Sequence, residues 1–155
     1  MDPNSFRLLL VDDNESMRRV IRSVLTRLGM ENVDEARDGL EALELYATTH
    51  YDLVVSDLYM PHMTGIELLR GIRALPGRTR TPVLIVSGQL SERNIREALE
   101  AGVDGFVAKP FVEGPLTERV TRLLLSPPRR HQAPGEENTR LQESFLGSTG
   151  HSGLA

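Results

Sequence analysis

Tyr51-Asp52-Leu53-Val54-Val55-Ser56-Asp57 is the stretch on which the fold turns. Its centre is short, rich in Val and Leu, and without helical period, so it reads as a buried strand. The strand ends on a carboxylate. Leu58-Tyr59-Met60-Pro61 follows, and Pro61 and Gly65 mark a loop before the next helix. In an open parallel sheet, ligands bind at the carboxyl ends of the strands. Taken alone, an Asp there can be no more than a loop cap. Three other strand-like runs end in polar residues suited to one common chemistry.

Towards the N-terminus, Phe6-Arg7-Leu8-Leu9-Leu10-Val11 reads as a first strand ending at Asp12-Asp13. Asn14 or Ser16 caps a helix to about Leu28, with Met17, Val20, Ile21, Val24, Leu25 and Leu28 on one face. Gly29 closes it. Residues 32–36 form a weak second strand. Asp38 caps a helix through about Ala47, with Leu40, Leu43 and Leu45 as its apolar positions. Towards the C-terminus, Thr64 caps a helix over 65–74 that offers Ile66, Leu68, Leu69 and Ile72 for packing. Val83-Leu84-Ile85-Val86 is a fourth strand ending in Ser87-Gly88. Ser91 is a plain cap of a helix that runs to about Ala101 and stops at Gly102. Residues 104–107 are a short fifth strand followed by Ala108-Lys109-Pro110. A last helix spans about 115–125, with Leu116, Val120, Leu123 and Leu124 inward. Strands alternating with helices imply a mostly parallel sheet covered on both faces, and right-handed crossovers leave few topologies.

From Ser126 the composition changes to Gly, Pro, Ser, Thr, Glu and His. The expected organisation is therefore a domain over 1–125 and a disordered tail over 126–155. Leu141, Phe145 and Leu146 could line one side of a short helix in that tail. Thirty mostly polar residues cannot bury a second core, so no effector domain is expected after Leu125.

The chain has 155 residues, zero Cys and a net charge of −4. No disulfide framework or thiolate metal site is available. No run approaches the roughly 18–20 apolar residues that span a bilayer, and Met1-Asp2-Pro3-Asn4-Ser5-Phe6 is not a signal peptide, so a cytoplasmic, membrane-free protein is expected. The absence of a strong basic patch argues against direct nucleic-acid binding. The four histidines lack metal-ligand spacing, and no Gly-rich phosphate loop is present.

The strand ends carry Asp12-Asp13, Asp57, Ser87 and Lys109, the only lysine in the chain. Gathered at one edge of a parallel sheet, they amount to three carboxylates, a hydroxyl and an ammonium. Like charges so placed repel and raise each other's pKa. Mg²⁺, which takes oxygen ligands and keeps waters, is the natural offset. A lysine can pair with a phosphate as a point charge, and a serine hydroxyl can donate to another phosphate oxygen. The remaining carboxylate is then a nucleophile able to form an aspartyl phosphate.

With these motifs in view, residues 7–125 resemble the response-regulator receiver domain of two-component signalling. The likeness rests on Val11-Asp12-Asp13, on the run from Ser56-Asp57 to Thr64-Gly65, on Val86-Ser87-Gly88 and on Val107-Ala108-Lys109-Pro110-Phe111. It implies a flavodoxin-like (βα)5 fold, a doubly wound five-stranded parallel sheet of order 2-1-3-4-5. It implies that Asp57 accepts a phosphoryl group from a histidine kinase or phosphotransfer protein. Asp13, Asp57 and the Tyr59 backbone carbonyl would hold Mg²⁺, with Asp12 acting mainly through water. Lys109 and Ser87 would contact the phosphoryl group, and the Lys109-Pro110 bond would be cis. Ser87 and Phe106 fall at the family's switch positions: Ser87 is drawn inward, the aromatic ring turns in, and the surface formed by 91–125 is reshaped. Tyr59 and Gln89 fall where the family tunes dephosphorylation, with Tyr59 expected to hinder an in-line water.

The resemblance implies a signalling module, not an enzyme. Output would come through a downstream protein bound at the 91–125 surface, from a monomer or a phosphorylation-dependent dimer. The leading expectation is a single-domain response regulator. A receiver piece of a longer regulator and a phosphorelay intermediate are variants of it. An aspartyl-phosphate hydrolase is the alternative of a different class. That class places a second Asp two residues after the nucleophile, where this chain has Tyr59.

Overall fold

Leu8 to Val11 are almost wholly buried, and alternate residues serve opposite sides of the sheet. Leu9 and Val11 join one core with Val54, Ile85 and Phe106. Leu8 and Leu10 join the other with Leu53, Val55, Leu84 and Val86. A strand buried on both faces needs cover on both, and the helices supply it. The computed structural model describes residues 2–76, 80–110 and 113–125. The tail expected over 126–155, with Leu141, Phe145 and Leu146, lies outside the described residues.

The elements follow in the order β1 (Leu8–Val11), α1 (Glu15–Arg27), β2 (Val33–Ala36), α2 (Gly39–Thr48), β3 (Leu53–Ser56), α3 (Gly65–Ala74), β4 (Val83–Ser87), α4 (Glu92–Ala101), β5 (Gly105–Ala108) and α5 (Glu113–Leu125). All strand pairs are parallel, in the order β2-β1-β3-β4-β5. This is the flavodoxin-like receiver topology that the resemblance implies. The core shared by α2, α3 and α4 contains Ala42, Tyr46, Leu68, Leu69, Ile95 and Ala98. The core shared by α1 and α5 contains Ile21, Val24, Leu25, Leu116 and Val120.

Local chemistry sets the helix ends. Asn14, Asp38, Thr64 and Ser91 each accept a hydrogen bond from the backbone N–H three residues on, satisfying donors that the helix leaves open. Thr64 does more than cap: Glu67 reaches back to its N–H, completing a capping box. Gly29 and Gly102 take positive φ of 85° and 94° after α1 and α4, where a side chain would be strained.

Several expectations need correction. Val20, counted on the apolar face of α1, and Leu40, counted among the apolar positions of α2, are each 48% exposed; Gly39, Ala42 and Tyr46 are the buried positions of α2. β1 starts at Leu8, two residues later than expected, because Arg7 and Phe6 precede the ladder. β5 is Gly105–Ala108, so Asp104 lies just before it. α5 begins at Glu113, so Pro115 sits in its first turn, where a missing N–H costs nothing.

At the edge opposite the carboxyl ends, Asp104 is fully buried between two guanidiniums. Arg73 Nη2 lies 2.8 Å and Arg80 Nη1 2.6 Å from its oxygens. The Val83 N–H donates to Asp104 at 2.7 Å. Arg73 also donates to the Thr81 and Gly102 carbonyls, so one buried carboxylate ties α3 to the starts of β4 and β5. Burial pushes the Asp104 carboxyl up, against the pull of both arginines. Nearby, burial and a 2.6 Å bond to Asp34 push the Tyr51 phenol up to about 12.

Candidate functional site

Strand register assembles the site. Val11 pairs with Ser56, and the next amide, Asp57 N–H, donates to the Val11 carbonyl at 2.9 Å. Ser87 pairs with Ala108, and Lys109 N–H donates to the Ser87 carbonyl at 2.9 Å. The residues that end β1, β3, β4 and β5 therefore share one edge. The chain winds away from β1 in opposite directions there, which opens a crevice between β1 and β3.

Asp12 is 1% exposed, and both of its oxygens are engaged. Oδ1 accepts from the Asn14 N–H at 2.9 Å, and Oδ2 accepts from Lys109 Nζ at 2.9 Å. Asp57 Oδ1 accepts from the Leu58 N–H at 2.7 Å, which fixes the carboxylate plane. Its Oδ2 lies 3.4 Å from Lys109 Nζ. Lys109 thus stands between two carboxylates. Asp13 completes the set on the exposed rim, and one oxygen from each of the three aspartates lies within 4.8 Å of the others. Burial holds the Asp57 carboxyl above the usual carboxylate range; Asp12 adds to this, while Lys109 and the Leu58 N–H pull it back.

Three carboxylates against one ammonium leave a charge imbalance that a divalent cation would cancel. The donors are hard oxygens, the set is open to water on the Asp13 side, and the spacing suits bridging by one small ion. The residues fit Mg²⁺.

The other expected residues lie around this cluster. Ser87 is 2% exposed, and its Oγ accepts from the Gln89 N–H at 3.2 Å. The Gln89 side chain is exposed. Tyr59 is 46% exposed. Its ring lines a groove between α3 and α4 with Glu67, Arg70 and Glu97, and its hydroxyl accepts from Asn94 at 2.9 Å. Phe106 is buried in the core with Ile95 and Leu99, off the carboxylate cluster. The Lys109-Pro110 bond is cis, as the resemblance implies; Phe111 lies outside the described residues.

Two participants have no signature in the sequence. Arg18 donates to the Asp12 carbonyl at 2.6 Å while Glu35 holds its Nε at 3.0 Å, bracing the end of β1. Asn94 bridges two loops, a contact across 35 positions from Tyr59 that no local pattern announces. A third, Gly65, is visible as a residue but not as a constraint. A Cβ there would stand 2.2 Å from the Asp57 carbonyl oxygen and 3.1 Å from Leu58 Cα. Gly65→Ala must therefore displace the Asp57 backbone. Misplacing a reacting group by about 1 Å can cost ~100-fold in rate, so with Asp57 as the acceptor that the resemblance implies, a loss of about that size is expected in phosphoryl uptake timed with a small phosphodonor. An unchanged rate would mean that the loop absorbs the methyl elsewhere.

Comparison with known proteins agrees with this geometry. Residues 8–121 match the family model of the response regulator receiver domain. The chain is 40% identical over 119 residues to the chemotaxis protein CheY-3 of Vibrio cholerae, covering 77% of this chain and 92% of that protein. It is 42% identical over 117 residues to the chemotaxis protein CheY of Pseudomonas aeruginosa, covering 76% and 94%. Among solved structures, the chemotaxis response regulator CheY4 of Vibrio cholerae superposes with a TM-score of 0.71 at 33% identity, covering 77% of this chain and 98% of that one. The receiver domain of the Francisella response regulator 1452 gives 0.69 at 35% identity, covering 77% and 97%. The motif residues, the strand order and the family match converge: this chain belongs to the response regulator receiver family.

Proposed function

We propose that this chain is a phosphorylation-controlled binding module whose Asp57 accepts a phosphoryl group from a histidine kinase or a phosphotransfer protein. The observation that carries the reading is the position of Lys109 Nζ, 2.9 Å from Asp12 and 3.4 Å from Asp57, beside three carboxylates. In the transfer, an Asp57 carboxylate oxygen forms a bond to phosphorus. The P–N bond of a phosphohistidine breaks, or the P–O bond of an acyl phosphate, and the leaving group keeps the electron pair. Lys109 balances charge on the transferred group, and the Ser87 hydroxyl donates to one of its oxygens. Asp13, Asp57 and the Tyr59 carbonyl would hold Mg²⁺, with Asp12 acting through water; the ion supplies positive charge beside the phosphoryl oxygens when bound. Arg18 and the Leu58 N–H keep Asp12 and Asp57 in place.

Ser87 and Phe106 carry the switch in this reading, and a downstream protein reads the 91–125 surface. A phosphoryl group can shift that surface only by contacting one arrangement better than the other, which is the role given to Ser87. The receiver occupies 1–125, with 126–155 a tail; the domain works as a monomer or a phosphorylation-dependent dimer, in the cytoplasm and without direct nucleic-acid contact. No described helix is long and apolar enough to cross a membrane.

Intact-mass spectrometry after incubation with acetyl phosphate tests the proposal. One phosphoryl adduct per chain is expected with Mg²⁺ and none after chelation. Many turnovers of a phosphate ester would instead favour an aspartyl-phosphate hydrolase. The same assay addresses lifetime. Tyr59 and Gln89 are the proposed tuning positions, and Tyr59→Asn is expected to speed loss of the adduct about tenfold, a general-access effect of ~1.4 kcal/mol on the barrier. A decay rate equal to that of the unaltered chain would remove Tyr59 from this role.

A further inference from the structure

Asn94 lies on the first turn of α4, half-buried, with its own N–H bound to the Ser91 cap. Its side-chain nitrogen has two protons, and each finds an acceptor. One goes to the Tyr59 hydroxyl at 2.9 Å. The other goes to the Gln89 carbonyl at 2.7 Å. A carbonyl only accepts, so the Gln89 contact also fixes which end of the amide is nitrogen. Gln89 is in turn the residue whose N–H donates to Ser87 Oγ at 3.2 Å. A chain of hydrogen bonds therefore runs from Tyr59 in the loop after β3, through Asn94 on α4, to Gln89 and the Ser87 hydroxyl.

We infer that Asn94 is a positioning residue that latches the loop after β4 and so sets how readily Ser87 moves towards a phosphoryl group on Asp57. The inference rests on the receiver reading above. In that reading Ser87 Oγ is drawn inward, away from the Gln89 N–H. If residues 88–90 were loose, the Gln89 amide could follow Ser87 at little cost. Here the Gln89 carbonyl accepts from the Ser91 N–H at 3.2 Å and, more closely, from Asn94; the Asn94 contact ties the loop to the body of α4 and is itself held by Tyr59. Drawing Ser87 inward then breaks a hydrogen bond that cannot re-form by loop drift. The latch favours the arrangement seen here, and a phosphoryl group must outbid it by its contacts with Ser87.

The test measures binding of beryllofluoride, a non-covalent phosphoryl mimic, in the presence of Mg²⁺, followed by backbone amide NMR. One net hydrogen bond is worth about 1 kcal/mol, so Asn94→Ala is expected to bind the mimic about fivefold more tightly. Asn94→Asp, which keeps the shape but loses both donors, should do the same at high salt. Mg²⁺ affinity without the mimic should stay within about twofold, since Asn94 touches none of the three carboxylates; a change in both would indicate general damage, not a latch, and would overturn the inference. Tyr59→Phe keeps the ring and removes only the acceptor, so it should give a smaller gain. Combined with Asn94→Ala it should add nothing, because the hydroxyl acts through Asn94. Equal or weaker binding by Asn94→Ala overturns the latch while leaving the receiver reading intact. No saturable binding by the unaltered chain overturns the receiver reading, and the latch with it.

Discussion

Asp57→Ala is expected to take up no phosphoryl group at any Mg²⁺ concentration. Two other aspartates lie close enough for their oxygens to share an ion with Asp57, so proximity alone does not select the acceptor. Access does. Both oxygens of Asp12 are held at close range and its side chain is 1% exposed. Asp13 lies on the exposed rim. Asp57 has Oδ1 fixed by the Leu58 N–H, an Oδ2 that Lys109 approaches only to 3.4 Å, and a side chain that is 14% exposed. The control is Asp13→Asn, which weakens the proposed ion site but leaves the proposed nucleophile. Its adduct should form more slowly and recover as Mg²⁺ is raised, whereas that of Asp57→Ala should not recover. Mass spectrometry of both variants separates the roles, and an adduct that survives in Asp57→Ala would place the acceptor elsewhere.

The largest effect on stability is expected at the other end of the sheet. Asp104→Ala removes a carboxylate with no exposed side-chain surface and leaves two guanidiniums facing each other without it. Breaking a buried ion pair from one side typically costs about 3–5 kcal/mol, mostly because the remaining charge is stranded. The Val83 N–H loses its acceptor as well. A drop of that size in unfolding free energy, read from the urea midpoint at constant slope, is expected. Asp104→Asn should lose less, since its amide oxygen can still accept from Val83. A loss under 1 kcal/mol for the alanine variant would mean that water replaces the carboxylate, and that this network is less sealed than its burial indicates. Phosphoryl uptake per folded chain should be unaffected, because the network lies at the strand starts.

How much of this was legible beforehand depended on range. β1, β3 and β4 announce themselves because strands buried on both faces need apolar residues at consecutive positions. The caps Asp38, Thr64 and Ser91 are readable because an N-cap bond closes within three residues, whereas at α1 Asn14 and Ser16 both fit and only the fold selects Asn14. The cluster was readable because every member ends or follows a strand, and parallel strands bring their ends to one edge. Val20 and Leu40 misled because a stripe counted at helical spacing has borders, and the angle at which a helix meets the sheet decides which border residue is covered. Asp104, Arg73 and Arg80 are three unremarkable charges until the fold brings them together. Asn94 is an ordinary polar residue on an amphipathic helix, and its two acceptors come from different loops. Contacts that require the tertiary structure leave no trace in periodicity.

The chain's single lysine also has a practical consequence. Lys109 contributes its backbone N–H to the Ser87 carbonyl and its ammonium to Asp12. Feeding ¹⁵N-lysine to an expressing culture would therefore mark the protein at one residue. The resulting spectrum would hold one amide signal and one ammonium signal, and both atoms sit at the sheet edge that carries the three aspartates. A complex could then be watched through this one reporter, without assigning the rest of the molecule and without introducing a foreign label.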